Sequence, residues 1–227
     1  MASEKQRQKI VDGLLSLVSD REFDRIGFGE IADKAGLTLA QLRQAYDGKF
    51  AMLEDFTRRI DQEVIGEEDE GMEAEPVRDR LFDVLMRRFD ALAPYKAAVA
   101  GLLRSARRDP LLAAALNTNA VTSMRWMLSA AGLDRGGLMG LARAQALALA
   151  WARVLQVWLE EEDPGLAKTM KALDAALKRL ERIGRGAERL ERALGPLGRC
   201  LPGGRRRRTP PPPPPAESSP DAAMAPA

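Results

Sequence analysis

Residues 28–49, FGEIADKAGLTLAQLRQAYDGK, set a glycine between two short apolar stripes, and this arrangement narrows the folds open to the chain. Ile31, Ala32 and Ala35 recur at helical spacing before Gly36, and Leu39, Leu42 and Tyr46 do so after it. Glycine tolerates the positive φ of a sharp helix stop. Thr38 is suited to cap the second helix. Ala32 is small enough for the two helices to approach closely, with Leu42 packed across. The spacing is the sequence form of a helix-turn-helix, and an ordinary helical hairpin fits the same residues.

The remaining composition supports an all-α chain. Alanine, leucine, glutamate and arginine dominate, which favours helix. β-Branched residues are too scattered to predict a sheet. The 227 residues suffice for one or two domains with a real core. There is no histidine, which removes histidine triads, histidine metal sites and histidine proton shuttles. Cys200 is the only cysteine, so neither an intramolecular disulfide nor a cysteine zinc site is expected. Nothing pairs a nucleophile with a base, so the chain reads as a non-enzyme without a cofactor. Residues 1–8 are polar and charged, unlike a signal peptide, and no stretch reads as apolar enough to cross a bilayer. A cytoplasmic protein is expected. The net charge of +2 supplies no global field toward nucleic acid.

Helices are predicted over 3–19, 28–35, 38–46 and 50–65. In the first, Ile10, Leu14 and Leu17 share a face, and Ser3 stands at its cap. Phe50, Leu53, Phe56, Ile60 and Val64 mark the fourth. The order of helix, short helix, Ala35-Gly36-Leu37-Thr38 turn, short helix, and then Tyr46-x-x-Lys49 before a long helix resembles the N-terminal domain of TetR-type transcriptional regulators. Phe23, Ile31, Ala32, Leu42 and Leu53 are in step with it. The likeness spans roughly residues 1–55.

That resemblance implies an all-helical, two-domain homodimer acting on double-stranded DNA. Residues 1–49 would form the helix-turn-helix domain and 50–75 a connecting helix with an acidic linker. Residues 76–183 would form a domain for dimerisation and a small apolar ligand, followed by a short amphipathic segment and an Arg/Pro-rich tail over 184–227. Thr38 would cap the recognition helix and meet a phosphate, and Lys49 would meet another. Leu39, Ala40, Gln41, Arg43 and Gln44 would lie at or near the DNA, with the two glutamines suited to base edges and Arg43 to a phosphate or guanine. Leu42 and Tyr46 read as core. The chain departs from the family pattern at Gly27-Phe28-Gly29, where threonine or serine is usual, and at Arg43 and Ala45. In residues 1–50, eight basic side chains face eight acidic ones, whereas a DNA-binding domain normally carries a basic excess.

Beyond the acidic linker GEEDEGMEAE, helices are predicted over 77–91, 94–107, 110–131, 138–160 and 166–183. The 138–160 helix is apolar around most of its circumference, which suits a dimer interface, a cavity wall or both. Met124, Met127, Met139 and Trp151 are candidate pocket residues. The segment Glu160-Glu161-Glu162-Asp163-Pro164 reads as a solvated break. From Arg80-Leu81-Phe82 through Trp158 and Asp163-Pro164 to Thr169-Met170-x-x-Leu173-Asp174-x-x-Leu177, the chain is also similar to the coenzyme Q biosynthesis accessory proteins. That resemblance implies an alternative: a lipid- or isoprenoid-binding accessory protein on the same fold, without DNA binding, touching membrane through residues 184–201. The tail with Arg205–Arg208 and the proline run 210–215 cannot form a core and is expected to be disordered, with the prolines extended.

Overall fold

The structure is a computed structural model and describes residues 3–67, 74–133 and 136–198, with side chains to residue 184. Cys200, the arginine cluster, the proline run and most of the acidic linker lie outside the described residues. So do the side chains of the expected amphipathic segment beyond Gly184. Among the described residues the chain is helical, with no strand. The described residues up to Arg185 form one compact unit, and those from Gly186 to Gly198 belong to a second.

The helices are α1 (Glu4–Asp20), α2 (Phe28–Ala35), α3 (Leu39–Ala45), α4 (Lys49–Gly66), α5 (Val77–Leu92), α6 (Lys96–Ala106), α7 (Pro110–Ala130), α8 (Gly137–Glu160) and α9 (Ala167–Gly198). Short 3₁₀ turns lie at Phe23–Arg25 and Ala93–Tyr95. Local chemistry explains many of the boundaries. Ser3 Oγ accepts from Gln6 N–H, and Gln6 Oε1 accepts from Ser3 N–H, a complete capping box. Asp109 caps α7 by accepting from Leu111 and Leu112 N–H, with Pro110 at the first helical position.

In the segment after α8, Glu160, Glu162, Asp163 and Pro164 are exposed as expected of a solvated break, and one residue departs from it. Glu161 is buried and serves as the cap of α9. Its carboxylate accepts from Lys168 N–H at 2.7 Å, Thr169 N–H at 2.8 Å and the Thr169 hydroxyl at 2.5 Å. Burial alone would raise its pKa, but these donors hold it below the ordinary value. α9 then continues to Gly198, past the end expected at residue 183.

One continuous core runs through Met1–Arg185, from Ile10 to Leu177. α1 packs against α2, α4 and α6, and α7 packs against α4 and α8. The helix-turn-helix region is thus set on the larger helical body through α1 and α4. Phe89 on α5 stacks on Trp151 of α8 at 4.2 Å and meets Trp158 at 5.5 Å. By length and composition α8 is apolar enough to cross a membrane, contrary to the expectation from sequence. Its buried face, with Leu147, Trp151, Val154 and Trp158, makes it a core helix of this unit.

Candidate DNA-binding face and ligand cavity

α2 ends where Gly36 adopts φ +67°, in the left-handed region. Leu37 N–H reaches back to Ala32 C=O at 2.9 Å and Gly36 N–H to Asp33 C=O at 3.1 Å, the two bonds of a Schellman stop. Thr38 then caps α3: its hydroxyl accepts from Gln41 N–H at 3.2 Å, and Gln41 Oε1 accepts from Thr38 N–H at 2.9 Å. Leu42 turns inward and is buried. Thr38, Leu39, Ala40, Gln41, Arg43 and Gln44 are all exposed, so the outer face of α3 takes no part in the core.

Two of these side chains are less free than the sequence suggests. The Gln41 oxygen is committed to the cap, which leaves its amide N–H groups to face outward. Arg43 pairs with Asp47 at 2.5 Å, both being well exposed. Lys49, expected at a phosphate, is directed elsewhere. Its ammonium donates to Phe23 C=O at 2.6 Å and Ile26 C=O at 3.0 Å and lies 4.5 Å from the Phe23 ring centre. Its pKa is lowered, chiefly by burial.

The α3 C-terminus is held by a carboxylate on α4. Tyr46 is buried and its hydroxyl donates to Asp55 Oδ2 at 2.6 Å. Arg58 and Arg7 reach Asp55 Oδ1 at 2.5 and 3.3 Å. Arg7 also lies 4.6 Å over the Tyr46 ring. Burial raises the tyrosine pKa first, and the Asp55 bond raises it further. On Asp55 the donors outweigh burial, and its pKa is lowered.

The balanced charge of residues 1–50 takes a specific form here. Arg7 meets Asp55, Arg21 meets Glu30, Arg25 meets Glu22 and Arg43 meets Asp47, so each arginine of this region has a carboxylate partner. On α4, Arg58 and Arg59 pair with Asp55 and Asp12.

The second feature is a cavity of about 280 Å³ bounded by α4, α5, α6, α7 and α8 and open to solvent on one side, where Leu149 and Asn117 lie exposed. Leu53, Phe56, Leu92, Leu102, Met124 and Trp151 are among the residues that line it, so most of its wall is apolar. Of the four candidate pocket residues, Met124 and Trp151 are among those that line it. Met127 and Met139 do not line it: Met127 is wholly buried in α7 packing, and Met139, on the first turn of α8, is 57 % exposed. Among the cavity residues, Asn117 exchanges amide hydrogen bonds with Gln145, at 3.0 and 3.3 Å, tying α7 to α8.

Arg88, which also lines the cavity, is not among the residues the sequence singles out. Arg88 is only 5 % exposed and donates through Nη1 to Asp61 of α4, itself 6 % exposed. Ser123 of α7 donates to the same Asp61 oxygen at 2.7 Å. Burial lowers the guanidinium pKa, and Asp61 opposes the shift. Arg88 lies 5.8 Å from the Trp151 ring centre. The signal available in sequence was a charge on an apolar stripe: Arg88 falls at helical spacing among Val84, Leu85 and Leu92.

Large apolar side chains also remain exposed on α7, α8 and α9. They include Trp126 on α7, Leu138, Leu141 and Leu149 on α8, and Met170 and Ile183 on α9. No group of histidine, cysteine and acidic residues among the described residues is arranged to hold a metal.

No protein-family model matches the chain, and no curated protein matches it. Solved structures do. The chain is similar to a TetR transcriptional regulator from Nitrosomonas europaea ATCC 19718, with 18 % identity and a TM-score of 0.60, covering 77 % of this chain and 97 % of that one. It is also similar to a TetR transcriptional regulator from Rhodococcus sp. RHA1, with 19 % identity and a TM-score of 0.54, covering 78 % and 95 % of the two chains. These structures lend no support to the likeness of residues 80–177 to coenzyme Q accessory proteins. The chain has the all-helical fold of the TetR transcriptional regulators.

Proposed function

We propose that this protein is a transcriptional regulator that binds palindromic operator DNA as a homodimer and responds to a small apolar molecule in the α4–α8 cavity. The observation that carries the reading is the helix-turn-helix itself. α2 stops at Gly36, α3 starts from the Thr38 cap, and one buried residue, Leu42, fixes α3 while its outer face stays out of the core. A helix presented in this way can enter a major groove.

Within this reading the Thr38 hydroxyl meets a phosphate, and Gln44 and the free amide of Gln41 meet base edges. Leu39 and Ala40 offer apolar contact to thymine methyl groups. Arg43 exchanges Asp47 for a phosphate or guanine. Lys49 contributes only if its ammonium leaves the Phe23 and Ile26 carbonyls. The exposed apolar residues of α8 and α9 suit the homodimer interface. A ligand alters DNA binding only by favouring one arrangement of the dimer over another. A protein working on operators in this way acts in the cytoplasm.

The deciding experiment is selection of genomic duplex fragments by the purified protein, followed by salt titration of the recovered sequences. Recovery of one palindromic sequence, bound less tightly as salt rises and weakened by Arg43→Ala, is expected. Recovery of nothing above background would sink the regulator reading.

A further inference from the structure

The cavity wall carries a polar group that the surrounding protein leaves incompletely used. Arg88 is buried, and its Nε–H has no protein acceptor. A buried donor without an acceptor is costly, so a molecule supplying one gains more here than it would at the surface. The remaining wall is dominated by Leu, Val, Phe, Met, Ala and Trp side chains.

Charge decides which acceptor fits. Asp61 already neutralises Arg88, and Ser123 donates to the same carboxylate oxygen. A ligand carboxylate reaching the buried guanidinium would bring a second anion to one cation and leave an excess negative charge against a mostly apolar wall. A neutral acceptor satisfies the Nε–H without that penalty. We infer that the cavity receives a neutral, largely apolar small molecule carrying one carbonyl-type oxygen, and that Arg88 donates to this oxygen from Nε. The inference rests on the ligand-control reading for its biological meaning, but not for the binding itself.

The test uses the full chain and the neutral fluorophore N-phenyl-1-naphthylamine as reporter. Three competitors of equal chain length displace it: 2-nonanone, nonanoate and nonane. The ketone is expected to compete at a concentration about tenfold lower than either other probe, the size of effect a charge-assisted hydrogen bond supplies. Arg88→Lys keeps a cation for Asp61 but removes the Nε–H, and is expected to erase the advantage of the ketone over nonane. If Arg88→Lys does not fold, the order of the three probes on the unaltered protein still decides.

Failure of the fluorophore to bind, nonanoate competing as well as the ketone, or the ketone advantage surviving Arg88→Lys would each overturn the inference. The same samples are scored for operator binding. Ketone preference without any DNA binding would sink the regulator reading and leave the cavity assignment standing. DNA binding without ketone preference would do the reverse.

Discussion

Gly101 of α6 lies directly against the Val18 carbonyl of α1: a methyl group built on Gly101 would sit 1.9 Å from that oxygen and 2.8 Å from its carbon. Both contacts are with backbone, which cannot rotate aside. Helix propensity alone favours alanine over glycine by about 1 kcal/mol, so the clash must exceed that gain to matter. At 1.9 Å it does. Gly101→Ala is expected to destabilise the protein by about 2 kcal/mol, within the usual range for overpacking. Gly184→Ala, where nothing lies within 4 Å, is the control and is expected to stabilise by about 0.5–1 kcal/mol. Urea denaturation of both variants checks the pair, and a Gly101→Ala midpoint equal to the unaltered protein's would show that α6 does not cross α1 this closely.

Gly36 carries the turn between α2 and α3 at φ +67°, with open space where a Cβ would lie. Gly36→Ala therefore tests backbone conformation without a steric clash. A loss of about 1 kcal/mol is expected from the left-handed conformation alone. Gly36→Asn should lose less, since asparagine tolerates this region better. Equal losses in the two variants would point to a cause other than φ.

Tyr46→Phe removes one donor from Asp55 while Arg58 and Arg7 remain. About 1 kcal/mol of stability should be lost. Because Tyr46 stands at the α3 C-terminus, amide exchange should rise in α3 more than in α7. Uniform change across both helices would argue against a local anchoring role.

The Arg21 guanidinium and, after it, the Gly27 N–H hold the Glu30 carboxyl at about 2, against an ordinary 4.5. A folded pKa below the unfolded one gives stability that is fully present above the unfolded value and is lost as pH falls through the folded one. Glu30→Gln should thus be less stable than the parent near neutrality, and the gap should narrow from about pH 4.5 down to about pH 2. Denaturation midpoints measured across that interval decide it. A gap that stays constant would show that the Arg21–Glu30 pair is not the source.

Asp47 competes with DNA for Arg43. In the proposed regulator, Asp47→Asn should tighten operator binding severalfold, since an exposed pair contributes little to folding and a nearby acid repels phosphate. Arg43→Ala should flatten the slope of log affinity against log salt by about 0.9 if Arg43 meets one phosphate. Equilibrium binding at several salt concentrations reads both. An unchanged slope would move Arg43 off the backbone.

The helix-turn-helix was legible in the sequence because its determinants are local. The Gly36 stop, the Thr38 cap and the Ile31, Ala32, Ala35 and Leu42 stripe all lie within a few residues of their partners. Groups whose roles depend on distant parts of the chain were not legible. The resemblance to TetR-type regulators implies a phosphate for Lys49, but carbonyls of residues 23 and 26 draw its ammonium inward. Arg88 and Asp61 are separated by a linker, and Ser123 joins them from a third helix. Glu161 sits in an acidic run whose neighbours suggest solvent, until α9 turns its first N–H groups onto the carboxylate. The cavity residues divided similarly: helical spacing identified the apolar faces near Met124 and Trp151, but could not tell which part of α8 would carry Met139 outward.

The Glu161 cap has a consequence for assembly. Its carboxylate fixes the first turn of α9, while its carbonyl accepts from the Lys96 ammonium at 2.6 Å. The corner between α8 and α9 is therefore set within a single chain, before any second copy arrives. A homodimer built on these two helices would join faces already shaped, with little backbone entropy left to lose on association.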